Sequence, residues 1–415
     1  MKLQKKLWKW YQNVLLEAMK KSNQELFIMY NHENSDRYFC KYISNNLGTA
    51  TLAFISKHRV YLIVNELDSD NAQKISFEND NVSMYYYKNS YQFKDLVEEV
   101  IAKEKFPTKI ALAYSTLGDS NADVLGHGEY VSLTKKIKDV YKKYQKNVRF
   151  VSAEKIIYDI GSRKSSLQIK RMKLIGEITN RILEETFKRI KPSMSEIEIS
   201  ELTRETTEDI TDFYIHSNDI MDFDFAWDIC PIVLTGVNLT KGGHSLPSVK
   251  KLKRGDTIYF DFGIKVFFKD KTILNSDIQR MGYVLKENET EPPKSVKKVF
   301  NALVSSIDAG MECMKPGVKA YKIDEIVRKE IAKYGYPDYN HATGHSVGEE
   351  VHDVGAVIST KNNKRANFAL SENSIYTLEP RIAIVNGGSI EEMIQVTKFG
   401  GIPICKMQKK LYIVS

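Results

Sequence analysis

The chain of 415 residues is short of the residue types that staple small folds or reach into membranes: four cysteines, ten prolines and eight histidines. Cys40, Cys230, Cys313 and Cys405 lie far apart and form no C-x-x-C pair. That excludes a thiolate zinc site and a disulfide framework, and it fits a reducing, cytoplasmic setting. There is no run of about 18 apolar residues, so no membrane span is expected. The opening stretch MKLQKKLWKWYQNVLLEAMKKSNQE lacks the apolar core and small-residue cleavage site of a secretory signal. Its apolar positions Leu7, Trp10, Tyr11, Val14, Leu15 and Met19 recur at helical spacing and predict an amphipathic helix docked on its own domain. Low-complexity tracts are absent. The net charge of +8 is spread thinly, and the densest basic stretch, Lys135 to Lys146, contains Asp139 and reads as a solvated helix face. Without an aromatic-interleaved basic stripe, no nucleic-acid partner is expected.

What is present describes a globular protein, 42% hydrophobic and 27% charged, long enough for two domains. Residues 26–30, 49–56, 58–65, 81–87, 109–115 and 148–152 are β-branched and aromatic and predict strands, with amphipathic stretches such as Tyr91 to Lys105 between them. This is an α/β pattern with mixed strands. His32, His58 and His127 are isolated here and read as surface or packing residues. A boundary falls near GSRKSS (161–166), dividing an N-terminal α/β domain, 1–162, from a C-terminal α+β domain, 163–415. Beyond it, Met172, Ile175, Ile178, Ile182, Leu183, Phe187 and Ile190 share one helix face, and Pro192 follows the stop. Ser195-Glu196-Ile197-Glu198 is a capping-box signal. A second helical pair, Val296 to Cys313 and Ile323 to Tyr334, again precedes strands, so helices and then strands occur twice.

Four acidic residues in the last third sit inside apolar, strand-like runs: Asp261 in TIYFDFGI, Asp277 in NSDIQRMGYV, Glu379 in SIYTLEPRIAI and Glu391 in GSIEEMIQVT. His345 lies among them in HATGHSVGEEVHD. An unpartnered buried carboxylate costs several kcal/mol or more, and four together also repel, so the cluster needs protons or cations. Alternation along 258–265 puts Asp261 mid-strand, and a hairpin brings Asp277 across from it. Glu379 and Glu391 repeat the plan around the turn Asn386-Gly387-Gly388. Four carboxylates and one neutral imidazole balance two divalent ions, and hard oxygen ligands with one nitrogen favour manganese, cobalt, iron or zinc. Such a pair of ions supports hydrolysis.

These segments resemble the metallopeptidase family of prolidase, aminopeptidase P and methionine aminopeptidase. GDTIYFDFG and SDIQRMGYV are similar to its two aspartate strands, HATGHSVGEEVHD to its TGHG-x-G…H segment, and YTLEPRI and IEEMIQVT to its two glutamate motifs. GGHSLPSVKKLKRGD is similar to the H-G-x-P loop. The likeness spans about residues 165–415, and residues before it resemble the creatinase-type N-terminal domain of prolidases and aminopeptidase P. The resemblance implies a pita-bread catalytic domain built from two pseudo-symmetric halves. It also implies an Xaa-Pro dipeptidase or Xaa-Pro aminopeptidase acting on peptides. In that reading Asp261 chelates one ion, Asp277 and Glu391 bridge both, and His345 and Glu379 complete the second. A hydroxide bridging the ions attacks the scissile carbonyl, Glu379 moves the proton, and His244 and His352 contact the substrate. The family often dimerises, so a homodimer is the corresponding expectation.

The departures lie around the cage. The Asp261–Asp277 hairpin is long, Ser346 follows the ligand histidine where glycine is common, and Ser389-Ile390 stands where many members carry an arginine. Arg381 stands where glycine is common, which suggests that it compensates by pointing toward the site to bind substrate. Three rival readings carry less. Gly344-His345-Ser346-Val347-Gly348 satisfies the G-x-S-x-G elbow, but His352 follows Ser346 too closely for a triad. Metal-free creatinase-like chemistry and a non-enzymatic binding protein on the same fold both predict lost ligands, and all five are retained.

Overall fold

Strand-forming segments of the first 160 residues assemble one mixed sheet. The structure, a computed structural model, describes residues 2–75, 81–217, 219–241 and 245–415. The chain forms two compact units, Met1–Ile160 and Gly161–Ser415. The first contains strands β1 (Leu26–Asn31), β2 (Thr51–Ile55), β3 (Val60–Asn65), β4 (Val82–Tyr87), β5 (Lys109–Leu112) and β6 (Arg149–Ser152). They lie in the order β4-β3-β2-β1-β5-β6. β1–β2 and β2–β3 are antiparallel, and the other pairs are parallel. Helices Ser90–Lys103 and His127–Lys143 are the crossovers that parallel pairing requires. Their apolar stripes, Phe93, Val97, Val100 and Ile101 on one and Leu133, Ile137, Val140 and Tyr141 on the other, complete the core of this unit.

The second unit starts with helix Ser166–Arg189, capped by Ser165 and Gln168 in a reciprocal capping box. Helix Glu196–Ser217 follows, entered through a second capping box: Ser195 N donates to Glu198 Oε2 (2.6 Å) and Glu198 N to Ser195 Oγ (3.2 Å). Then come β7 (Ile220–Phe225), β8 (Ile232–Thr235), β9 (Thr257–Phe262), β10 (Ile264–Phe268), β11 (Ile273–Asn275) and β12 (Ile278–Val284). The plan repeats with helices Lys294–Cys313 and Ala320–Lys333 and with β13 (Gly344–His345), β14 (Val357–Ile358), β15 (Ile375–Leu378), β16 (Arg381–Ile382), β17 (Gly388–Ser389), β18 (Glu392–Thr397), β19 (Gly400–Pro403) and β20 (Tyr412–Val414). Each half has its own apolar core: Ile178, Ile182 and Phe187 against Phe260 and Phe262 in one, and Leu303, Ile307 and Ile323 against Leu378 and Ile394 in the other. Among the described residues, no helix is long and apolar enough to cross a membrane.

Two details position the site. The chain passes from β9, in the sheet β20-β12-β9-β8, to β10, in the sheet β11-β10-β7, with only Gly263 between them. A Cβ there would sit 2.1 Å from the Ser276 carbonyl oxygen, so this corner requires glycine. Because the strand turns, the far limb meets β9 in a register that places Gln279, not Asp277, opposite Asp261. Asp277 is two residues away, so it shares the face of Gln279 and approaches Asp261 diagonally. The direct Asp261–Asp277 pairing expected from the sequence is corrected by this bend.

Candidate metal centre

The first-half candidate residues, Asp261 on β9 and Asp277 directly before β12, belong to strands buried on both faces. Ile258, Phe260 and Phe262 of β9 face the core, while Tyr259 and Asp261 face the other way. Tyr259 donates its hydroxyl to Asp261 Oδ2 at 3.1 Å. In the second half, Glu379 follows β15, with its backbone N–H held by Thr343 O (2.8 Å), and Glu391 directly precedes β18. β15 and β18 are antiparallel neighbours with Leu378 opposite Glu392. The turn between β16 and β17 contains Asn386 at φ 56, and its side chain accepts from Thr257 N (3.2 Å) at the start of β9. His345 lies on β13, whose Gly344 packs so closely on β15 that a Cβ would meet Thr377 O at 1.9 Å.

The five residues converge. Donor atoms of Asp277, His345 and Glu391 lie within 4.8 Å of one another. His345 Nε2 stands 3.5 Å from Asp277 Oδ2, 3.8 Å from Glu379 Oε1 and 3.8 Å from Glu391 Oε1. Its Nδ1 faces Ser346 O at 3.2 Å, and a proton there leaves the Nε2 lone pair toward the carboxylates. Asp261 joins the group through Gln279, whose Nε2 donates to Asp261 Oδ2 (3.3 Å) and Glu379 Oε2 (3.2 Å). His352 stands edge-on to His345, with ring centroids 4.3 Å apart. His244 lies outside the described residues.

The electrostatics are those of several buried carboxyl groups held close together. Burial, reinforced by Asp277 and Glu379, raises the Asp261 carboxyl well above its ordinary range. Burial and the neighbouring Asp277 and Glu379 charges do the same to Glu391. Glu379 is pushed up to about 7, by burial first and by Asp277, with His345 opposing. Burial disfavours the imidazolium of His345, but the hydrogen bond with Asp277 and the nearby carboxylates outweigh it and raise its pKa. Asp277 Oδ1 and both Glu391 carboxylate oxygens are buried without a hydrogen-bond partner among the described residues. Orphaned buried oxygens on carboxylates that gather around one imidazole fit divalent cations.

Three supporting groups carried no legible signal in the sequence. Gln279 is one. Arg280 is another: fully buried, it donates to Gln279 O (2.9 Å) and Glu391 O (2.8 Å) and pairs with Glu392 (3.1 Å) directly behind the cage. Glu196 is the third. Its carboxylate accepts from Thr235 N (2.7 Å), Asn238 Nδ2 (3.0 Å) and Ser248 N (3.1 Å), so it binds the segments on both sides of residues 242–244. Arg381, on β16, is 5% exposed. It donates to the carbonyls of Leu239 (3.1 Å) and Lys241 (2.7 Å), and its guanidinium lies 5.3 Å from the centroid of the Tyr259 ring. From there its charge opposes the upward shifts of Asp261 and Glu379. Across the β16–β17 ladder its partner is Ser389, which donates to Pro380 O at 2.7 Å. Ser346 is buried in β-bridge contact with Tyr376, and no helix follows it, so the elbow geometry is not formed.

A family model described as metallopeptidase family M24 matches residues 170–398. A 171-residue stretch is 33% identical to an Xaa-Pro dipeptidase of Pyrococcus horikoshii, covering 40% of this chain and 44% of that protein. A 256-residue stretch is 29% identical to an uncharacterised peptidase of Bacillus subtilis, covering 60% of this chain and 64% of the other. The matched part thus spans less than two thirds of the length of these curated relatives. An X-Pro aminopeptidase structure from Thermotoga maritima superposes with a TM-score of 0.60 at 23% identity, covering 96% of this chain and all of the other. A prolidase structure from Pyrococcus horikoshii superposes with a TM-score of 0.58 at 24% identity, covering 97% and 99%. At that identity the likeness is one of fold, and it bears out the pita-bread arrangement expected for the C-terminal domain.

Proposed function

From a chain that belongs to metallopeptidase family M24, we propose a metal-dependent exopeptidase that hydrolyses the peptide bond preceding proline. The observation that carries this reading is the convergence of Asp261, Asp277, His345, Glu379 and Glu391 with orphaned oxygens in a buried cage. In this proposal Asp261, Asp277, His345, Glu379 and Glu391 would together hold two divalent ions. Manganese, cobalt, zinc or iron all suit the donor set. When bound, the pair would supply Lewis acidity that activates a water and polarises the scissile carbonyl.

The remaining steps fall to the chain's own groups. Glu379, less enclosed than Glu391, is placed to take a proton at a carboxylate oxygen and return it to the departing amine. His352, exposed beside His345, is placed to touch the peptide. His244 is proposed for the same task. Arg381 acts on substrate through the turn it holds, fixing Leu239 and Lys241 at the approach to residues 242–244. A peptide is the partner in this reading, without nucleic acid, in a cytoplasmic homodimer. The four free cysteines agree with a reducing compartment.

The test is hydrolysis of Gly-Pro, Ala-Pro and longer Xaa-Pro peptides with added manganese, cobalt or zinc, beside an Asp277→Asn control. Cleavage that needs metal and is lost in the control supports the proposal. Cleavage that ignores chelator or persists in D277N overturns the two-metal mechanism.

A further inference from the structure

We infer that the Gln279 side-chain amide is a positioning element of the cage, tying Asp261 of the first half to Glu379 of the second before any ion arrives. The inference rests on the metal-binding reading above and names a residue beyond its five ligands. Gln279 is 4% exposed. Its Nε2 donates to Asp261 Oδ2 at 3.3 Å and to Glu379 Oε2 at 3.2 Å, while its backbone exchanges hydrogen bonds with Glu391 at 3.3 and 3.2 Å. One residue therefore contacts three of the four carboxylate-bearing positions. Its Oε1 is buried with no partner among the described residues, so the side-chain hydrogen bonds of this amide are the two to Asp261 and Glu379.

The chemistry explains why an amide serves here. Without cations, four carboxylates in one buried space repel and tend to swing apart or take up protons. A lysine or arginine between Asp261 and Glu379 would hold them, but it would also supply the charge that the ions must bring. A neutral amide offers two N–H groups to two acceptors and adds no charge. Its orientation follows from the surroundings, because turning the oxygen toward both carboxylates would set three acceptors against one another. The β9–β12 register makes this possible: Gln279 lies directly opposite Asp261, and its longer side chain reaches on to Glu379. Ordering of the ligands is then completed during folding and does not have to be met when metal binds.

The experiment is metal binding by the intact chain, stripped with chelator and titrated with manganese and, separately, cobalt by calorimetry. The wild type is expected to take up two ions. Q279L is expected to bind them about 10–100-fold more weakly, the usual loss when a ligand's hydrogen-bond partner is removed. Its metal-free circular dichroism should remain that of the folded chain, which separates weaker metal uptake from a failure to fold. Should Q279L fail to fold, Q279M keeps an unbranched side chain of similar length without the amide. Binding by either folded variant within twofold of a wild type that takes two ions overturns this inference alone. A wild type that takes up no ion overturns the metal-binding reading and this inference with it.

Discussion

Replacing Arg280 by methionine tests how the cage is braced from behind. Arg280 is fully buried and donates to Asn180 Oδ1 through Nε (3.1 Å) and Nη2 (2.8 Å), besides its bonds to the Gln279 and Glu391 carbonyls and to Glu392. Removal leaves Glu392, 1% exposed, with the Gln408 backbone N–H (2.8 Å) as its remaining donor. Breaking a buried pair from one side costs about 3–5 kcal/mol. Desolvation already pushes the Glu392 carboxyl up despite Arg280 beside it, so protonation in R280M caps the loss near the lower figure. R280M should therefore destabilise the second half by about 3 kcal/mol. R280M/E392Q, which strands no charge, should recover a third or more of that. Hydrogen exchange of the β12 amides reads this opening free energy locally. A single variant within about 1 kcal/mol of wild type, the value of an ordinary hydrogen bond, or a double variant no better than the single, would refute the reasoning.

Arg381→Ala loses two charge-assisted bonds to the Leu239 and Lys241 carbonyls, so kcat/KM for Xaa-Pro peptides should fall about tenfold, the rate equivalent of one such bond. Unchanged hydrolysis at every peptide length would show that the residue has no part in catalysis. For the metal-free protein, Glu379 rises to about 7 on folding and Asp261 and Glu391 also rise, so the folded state binds protons more tightly than the unfolded one. Stability in chelator should therefore increase as pH falls from about 7 toward 4.5, where unfolded carboxylates also protonate. Thermal melts at pH 8 and pH 6 check the sign, and saturating metal should remove the difference.

The cage was legible in the sequence because an acidic residue inside an apolar, alternating run has few explanations. Asp261, Asp277, Glu379 and Glu391 each stood in such a run, and the fold brings the last three to one imidazole and ties Asp261 to them through Gln279. What supports them was not legible. Gln279 is uncharged, and its importance depends on a register set by the Gly263 bend, which periodicity does not reveal. Arg280 and Glu392 each look like ordinary surface charges until their strands are seen to be buried on both faces. Glu196 sits inside a capping-box signal that Ser195 and Glu198 satisfy on their own, so its carboxylate was free for a long-range task.

The pairing of Arg381 with Ser389 bears on how determinants of this site should be sought among relatives. Directly opposed positions in an antiparallel ladder project their side chains from nearly the same place, with Cβ atoms about 5 Å apart. A guanidinium can therefore be surrendered on one strand and regained on the other while its charge stays over the same patch. Column-by-column comparison would score that exchange as one loss and one unrelated gain. Comparison by ladder position would count the two places as one, reached from either limb of the turn.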